Sequence, residues 1–167
     1  MSQPNPRHLA RERTLQALYQ WQLTGLSLVD IEQQFILEQP MKGVEMGYFR
    51  ELLHQIPAVV DELDALALPY LDRPLDQIDP IELSLIRIGI YELKMRLDVP
   101  YRVVINEGVM LAKAYAAETS HRYINGILDN AATLLRAAEV NQRHSGAPVV
   151  KTTHKRRVVP APGVEEI

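Results

Sequence analysis

The 167-residue chain has no cysteine at all. That excludes disulfides, thiolate zinc sites and a cysteine nucleophile, and it fits a reducing compartment. Aromatic residues are scarce at 6%, with one tryptophan. No uninterrupted apolar run approaches the roughly 20 residues that span a bilayer. The first thirteen residues are polar and basic and lack the apolar core of a secretory signal, so a cytoplasmic location is expected. The sequence contains no phosphate-binding Walker loop, no dinucleotide fingerprint, no nucleophile elbow and no His-x-x-x-His pair. Its five histidines are scattered. Neither a metal nor a cofactor is expected, and no enzymatic centre stands out.

What is present is helical. Apolar residues make up 47% of the chain, Ala and Leu foremost, and they recur with a period near 3.6 from residue 7 to about 138, with no period-2 segment. A first helix is expected from Pro6 or Arg7 to Thr24, stopped by Gly25. Ser27 and Asp30 cap a second. A third, from about Val44 to Leu68, contains Pro57 and should kink or divide there. Asp61, Glu62 and Asp64 on it read as a solvated acidic face. After a connector over 69–77, Asp79-Pro80-Ile81-Glu82 is a strong helix start, with a capping Asp, Pro in the first turn and Glu at the third position. The helix it opens, to about Leu97, is apolar almost all round and should be the most buried. Further helices are expected over about 100–117 and 120–138. Trp21 and Tyr91 read as core. Residues 1–141 form one helical domain, and 142–167, where Pro and Gly accumulate, read as a disordered basic tail.

The net charge of −3 is unevenly spread. Residues 1–13 carry Arg7, Arg11 and Arg13 against Glu12. The stretch from His144 carries Lys151, Lys155, Arg156 and Arg157 against Glu165 and Glu166. Each end is thus +2, and the body between them −7. An acidic body with basic ends suits local contact with a polyanion better than general coating of nucleic acid.

Two patches carry the chemistry for such contact. The first is Arg7-His8-x-x-Arg11, one helical turn of cations, with Tyr19 two turns further on. The second is Thr119-Ser120-His121-Arg122-Tyr123, where either Thr119 or Ser120 can cap a helix whose free N–H groups favour an anion. Cations for phosphates and aromatic planes for unstacked bases are what single-stranded RNA recognition requires. The patches would form one surface if the first and last helices packed side by side.

These residues resemble a known family. Ala10-Arg11-Glu12 with Gln16 to Trp21, Tyr48 to Leu52, Leu85 to Leu93, Asp98 to Glu107, and His121 to Asp129 are similar, in order and spacing, to blocks of the NusB family of bacterial transcription antitermination factors. The likeness covers roughly residues 6–138. It implies an all-α fold of about six to seven helices in two small bundles, without enzymatic activity. It also implies a partnership with NusE, the ribosomal small-subunit protein. Together the pair would bind the boxA element of ribosomal RNA operon transcripts and, with other Nus factors, help RNA polymerase read through terminators.

The family's arginine-rich start falls on Arg7 and Arg11, thinned here by His8 and Leu9. Its RNA surface falls on Tyr19, Ser120 and Tyr123, and its NusE-facing region on Tyr70, Asp79 and Glu82. NusB-like domains also precede RNA cytosine methyltransferases, but that chemistry needs a thiol. Some family members self-associate, so a homodimer is the alternative assembly.

Overall fold

A computed structural model of the protein describes residues 5–144. Among the described residues all regular structure is helical: α1 (Pro6–Thr24), α2 (Leu28–Glu38), α3 (Met46–Ala58), α4 (Val60–Ala67), α5 (Pro80–Met95), α6 (Tyr101–Tyr115), α7 (Ser120–Leu135) and α8 (Ala137–His144). Two 3-10 turns, Leu68–Tyr70 and Leu75–Gln77, fill the connector before α5.

Local chemistry sets most of the boundaries. Asn5 Oδ1 accepts hydrogen bonds from the backbone N–H groups of Arg7 and His8 at 2.7 and 3.3 Å, and Pro6, which has no N–H to satisfy, takes the first helical position. Gly25 closes α1 in the left-handed region at φ 68°, its N–H donating to Trp21 O. Ser27 Oγ accepts from Asp30 N–H at the start of α2. Asp79 Oδ1 accepts from Ile81 N–H at 2.8 Å and Glu82 N–H at 3.3 Å at the start of α5.

The expected third helix is two. The chain breaks at Val59 (φ −120°, ψ 25°), two residues after Pro57, which lacks a donor and whose ring crowds the preceding turn. The expected last helix also divides, at Arg136 (φ −127°). There the buried guanidinium turns inward, and its N–H groups donate to the carbonyls of Leu93 at 2.7 Å, Glu92 at 3.2 Å and Arg96 at 2.9 Å, closing the C-terminus of α5 with a cation. These two breaks raise the count from the six or seven helices expected to eight.

The helices group as two small bundles. In one, α1 packs on α3 and α2; in the other, α5, α6 and α7 pack on one another. The central helix α5 also touches α1 and α4, so it belongs to both. From Glu82 to Leu93 every α5 residue except Arg87 is buried. Gly89 allows this closeness: a Cβ there would lie 2.5 Å from Leu128 Cδ2 of α7.

Two readings of single residues are corrected. Asp64 is not a solvated acid; it accepts two hydrogen bonds from Arg87 at 2.8 Å each, and Glu62 pairs with Lys94, so this face pins α4 to α5. Trp21 is half-buried, while Tyr91 is in the core as expected. The compact unit ends at Ala137. Of the tail expected from 142, the first three residues belong to α8, and residues 145–167 lie outside the described residues.

Candidate nucleic-acid interface

The first turn of α1 is cationic in sequence but not in its surroundings. Arg7 Nε and one terminal nitrogen donate to Glu45 at 3.2 and 2.8 Å, and its guanidinium lies 4.1 Å from the centre of the Tyr48 ring. The hydrogen bond from Arg7 holds the Glu45 carboxyl below its ordinary range. His8 Nδ1 sits 2.5 Å from Glu107 Oε1.

Arg11 is only 3% exposed. Its Nε donates to both oxygens of Glu92, at 3.1 and 2.9 Å, and Glu92 also accepts from the Tyr48 hydroxyl. Burial and the Glu92 carboxylate both push the Tyr48 hydroxyl well above the usual tyrosine range. Carboxylates from the α3 entry, α5 and α6 therefore consume the charge of this turn. Arg11 ties α1 to α5 rather than facing solvent. Arg7, with 29% of its side chain exposed, keeps one accessible side. It borders a groove of about 210 Å³ that Pro100, Val103 and Glu107 also line.

Tyr19 is 37% exposed and lines a second groove, about 480 Å³, between α1 and α2 with Leu23 and Phe35. Gln16, in the same groove, donates to the Tyr115 hydroxyl at 3.0 Å, and Tyr115 in turn donates to Glu12 at 2.6 Å. These bonds hold the end of α6 against α1.

At the start of α7 the expected side-chain cap does not form. Thr119 occupies the N-cap position at φ −96°, ψ −1°, is exposed, and makes no capping bond. A tight turn replaces it: Ser120 N–H donates to Ala117 O and Arg122 N–H to Thr119 O. Ser120 is buried. Arg122 is exposed and forms no ion pair among the described residues. Tyr123 is half-buried, with the Arg73 guanidinium 4.9 Å from its ring centre and its hydroxyl accepting from Asp72 N–H at 3.4 Å.

Arg73 organises this end. It donates to both oxygens of Asp72, at 2.7 and 3.0 Å, and stands 3.8 Å from Glu82 Oε1. Glu82, expected to face a partner, is buried, and Oε1 makes no hydrogen bond among the described residues. Asp79 is exposed but already holds the α5 cap, and half-exposed Tyr70 ends the 3-10 turn three residues before Arg73. Glu82, expected for the partner, and Tyr123, expected for RNA, thus meet at one arginine. Sequence reading missed it because Arg73 lies in a connector without periodicity.

The two patches do not merge as expected. Arg11 meets Glu92 and Gln22 meets Ser84, so α1 runs antiparallel to α5; Tyr123 lies by Arg73 near Glu82 and Arg136 meets Leu93, so α7 runs parallel to it. The starts of α1 and α7 therefore lie at opposite ends of α5, about 15 Å apart along its axis at 1.5 Å per residue. Rather than packing on α1, α7 packs on α5 and α6.

The sequence model of the NusB family matches residues 8–133. This chain belongs to the NusB family. It is similar to the transcription antitermination protein NusB of Alcanivorax borkumensis, at 50% identity over 142 residues, covering 85% of this chain and 95% of that protein. The NusB protein of Pasteurella multocida is 49% identical over 131 residues, covering 78% of this chain and 91% of the relative. Among solved structures, T. maritima NusB superimposes with a TM-score of 0.66 at 26% identity, over 80% of this chain and 94% of that one. The two-bundle helical arrangement is therefore the fold of the NusB family. Among the described residues there is no cluster of potential metal ligands, and no helix is long and apolar enough to cross a membrane.

Proposed function

We propose that this protein is a transcription antitermination factor that acts by assembly rather than turnover, binding boxA RNA of ribosomal RNA operon transcripts together with NusE and promoting read-through by RNA polymerase within a complex of further Nus factors. Membership of the NusB family supports the antitermination role. The observation that carries the RNA reading is the start of α7. There Arg122, exposed and without an ion pair among the described residues, stands next to Tyr123, whose ring faces Arg73 of the connector, 3.8 Å from Glu82 of α5.

In this reading Arg122 and the open side of Arg7 neutralise phosphates, while Tyr19 and Tyr123 offer ring faces to unstacked bases, each worth roughly 1–3 kcal/mol. His8 and Thr119 border the contact. Arg11 and Ser120, both buried, hold the helices that present it. The region of Tyr70, Asp79 and Glu82 would face NusE, the buried Glu82 acting through Arg73, 3.8 Å from its Oε1.

Titration of boxA RNA with the NusE complex of the Arg122→Ala/Tyr123→Ala double variant tests this. A loss of at least tenfold in affinity is expected, with binding to NusE retained. Unchanged affinity would remove the α7 start from the interface. Equal affinity of the wild-type complex for boxA and for scrambled RNA of the same length would defeat the RNA reading itself.

A further inference from the structure

With the first patch neutralised by its own carboxylates, the accessible positive charge lies elsewhere. Among the described exposed cations, Lys42, Arg102, Lys113 and Arg122 form no ion pair. Three of these four stand on α6 and the first turn of α7. Arg102 and Lys113 are eleven residues apart, three helical turns, so they share one face of α6 and span about 16 Å along it. Asn106 and Met110, both exposed, lie between them on that face.

The single acid of α6, Glu107, points away from it: His8 contacts it at 2.5 Å and Arg11 at 3.6 Å, both from α1. The opposite side of α6 is buried through Val104, Ile105, Gly108, Leu111 and Ala112. The stripe also has the right ends. Val103 and Pro100 line the groove that Arg7 borders, and the last residue of α6, Tyr115, stands four residues before Thr119.

We propose that the outer face of α6, through Arg102 and Lys113, is the track that carries a single RNA strand from the Arg7 groove to the start of α7. The inference rests on the RNA-binding reading above and explains how two patches at opposite ends of α5 can serve one ligand. The chemistry is that of a polyanion with flexible spacing. Arg102 and Lys113 meet phosphates, Asn106 offers both a donor and an acceptor, and Met110 gives an adaptable apolar contact for a base. A folded protein partner would instead require a broad apolar centre, and here Val103 and Met110 are flanked by cations.

The test uses the full chain with NusE and a fluorescent single-stranded boxA RNA, titrated over a range of salt. For Arg102→Ala/Lys113→Ala, the plot of log affinity against log salt should flatten by about 1.4 units, two contacts at about 0.7 each for a single strand. Affinity at low salt should fall at least tenfold. The charge-conserving pair Arg102→Lys/Lys113→Arg should keep the wild-type slope, which separates loss of charge from loss of packing on Tyr101. Lys94→Ala, removing one cation from α5, should leave the slope unchanged.

Wild-type slope and affinity in the double alanine variant would overturn the track, as would an equal flattening in Lys94→Ala. Loss of NusE binding with an unchanged RNA slope would also overturn it, assigning the face to protein. Failure of the wild-type complex to bind the RNA at all would instead strike the reading on which the track rests.

Discussion

Arg11 shows how far a residue's role can lie from its charge. On a helical wheel it is one of a turn of cations available to a phosphate. In the folded chain it is 3% exposed and bonded to Glu92, itself 1% exposed. The Tyr48 hydroxyl shares that carboxylate, and the guanidinium groups of Arg7, Arg11 and Arg96 lie 4.1, 5.5 and 4.9 Å from its ring centre. Removing one partner of such a pair strands a buried charge, which costs about 3–5 kcal/mol. Arg11→Ala should therefore shift the urea midpoint strongly downward. Arg7→Ala, whose pair with Glu45 is partly exposed, should change stability by less than about 1 kcal/mol. Similar midpoints for the two variants would show that Arg11 does not anchor α1 to α5. The comparison also guards the RNA titrations, because an apparent loss of RNA affinity in Arg11→Ala would report unfolding. Nothing in the sequence marks Glu92 as the partner, 81 residues away; its type at that register is visible, its contact is not.

Among the elements, α5, α6 and α7 meet closely at two glycines. Gly89 and Gly108 both face Leu128: a Cβ at Gly89 would lie 2.5 and 2.7 Å from its two methyl carbons, and one at Gly108 would lie 3.0 Å from the nearer. Leu128 is fully buried between α5 and α6, so it has nowhere to retreat. In an exposed helix Gly→Ala would add stability, by up to about 1 kcal/mol. Here overpacking should outweigh propensity, and Gly89→Ala should destabilise by about 1–3 kcal/mol in chemical denaturation. A gain in stability would mean that α5 and α7 can move apart at little cost. The caps at Ser27 and Asp79, Pro6 in the first turn of α1 and the stop at Gly25 were legible because each uses residues within a few positions of the boundary; the cap at Asn5 emerged only in the structure. The breaks at Val59 and Arg136 differ. Pro57 announced the first, whereas the second depends on carbonyls forty or more residues away at the end of α5, which no local pattern contains.

At the scale of the whole molecule the acidic body is a network of pairs. Arg7 with Glu45, Arg50 with Glu32, Arg73 with Asp72, Arg87 with Asp64, Lys94 with Glu62 and Arg96 with Glu51 all join a cation to an acid. Charge counted along the sequence therefore overstates what a polyanion meets, and this is why the α1 patch was legible as composition but not as surface. Four exposed, unpaired cations remain among the described residues, and with the open side of Arg7, at about 0.7 per contact on a single strand, they support a salt slope no steeper than about −3.5. A chain ending at residue 144, without NusE, should bind single-stranded RNA weakly and with a slope within that bound, measured by anisotropy between about 50 and 200 mM salt. Adding NusE should steepen it, since new cations can then come only from the partner or from ion pairs that its docking opens. If the body alone reached a slope near about −6, Arg73, Arg87 and their like would have to exchange carboxylates for phosphates on binding. The ion-pair network would then be a reserve of RNA contacts rather than the scaffold holding the two bundles together.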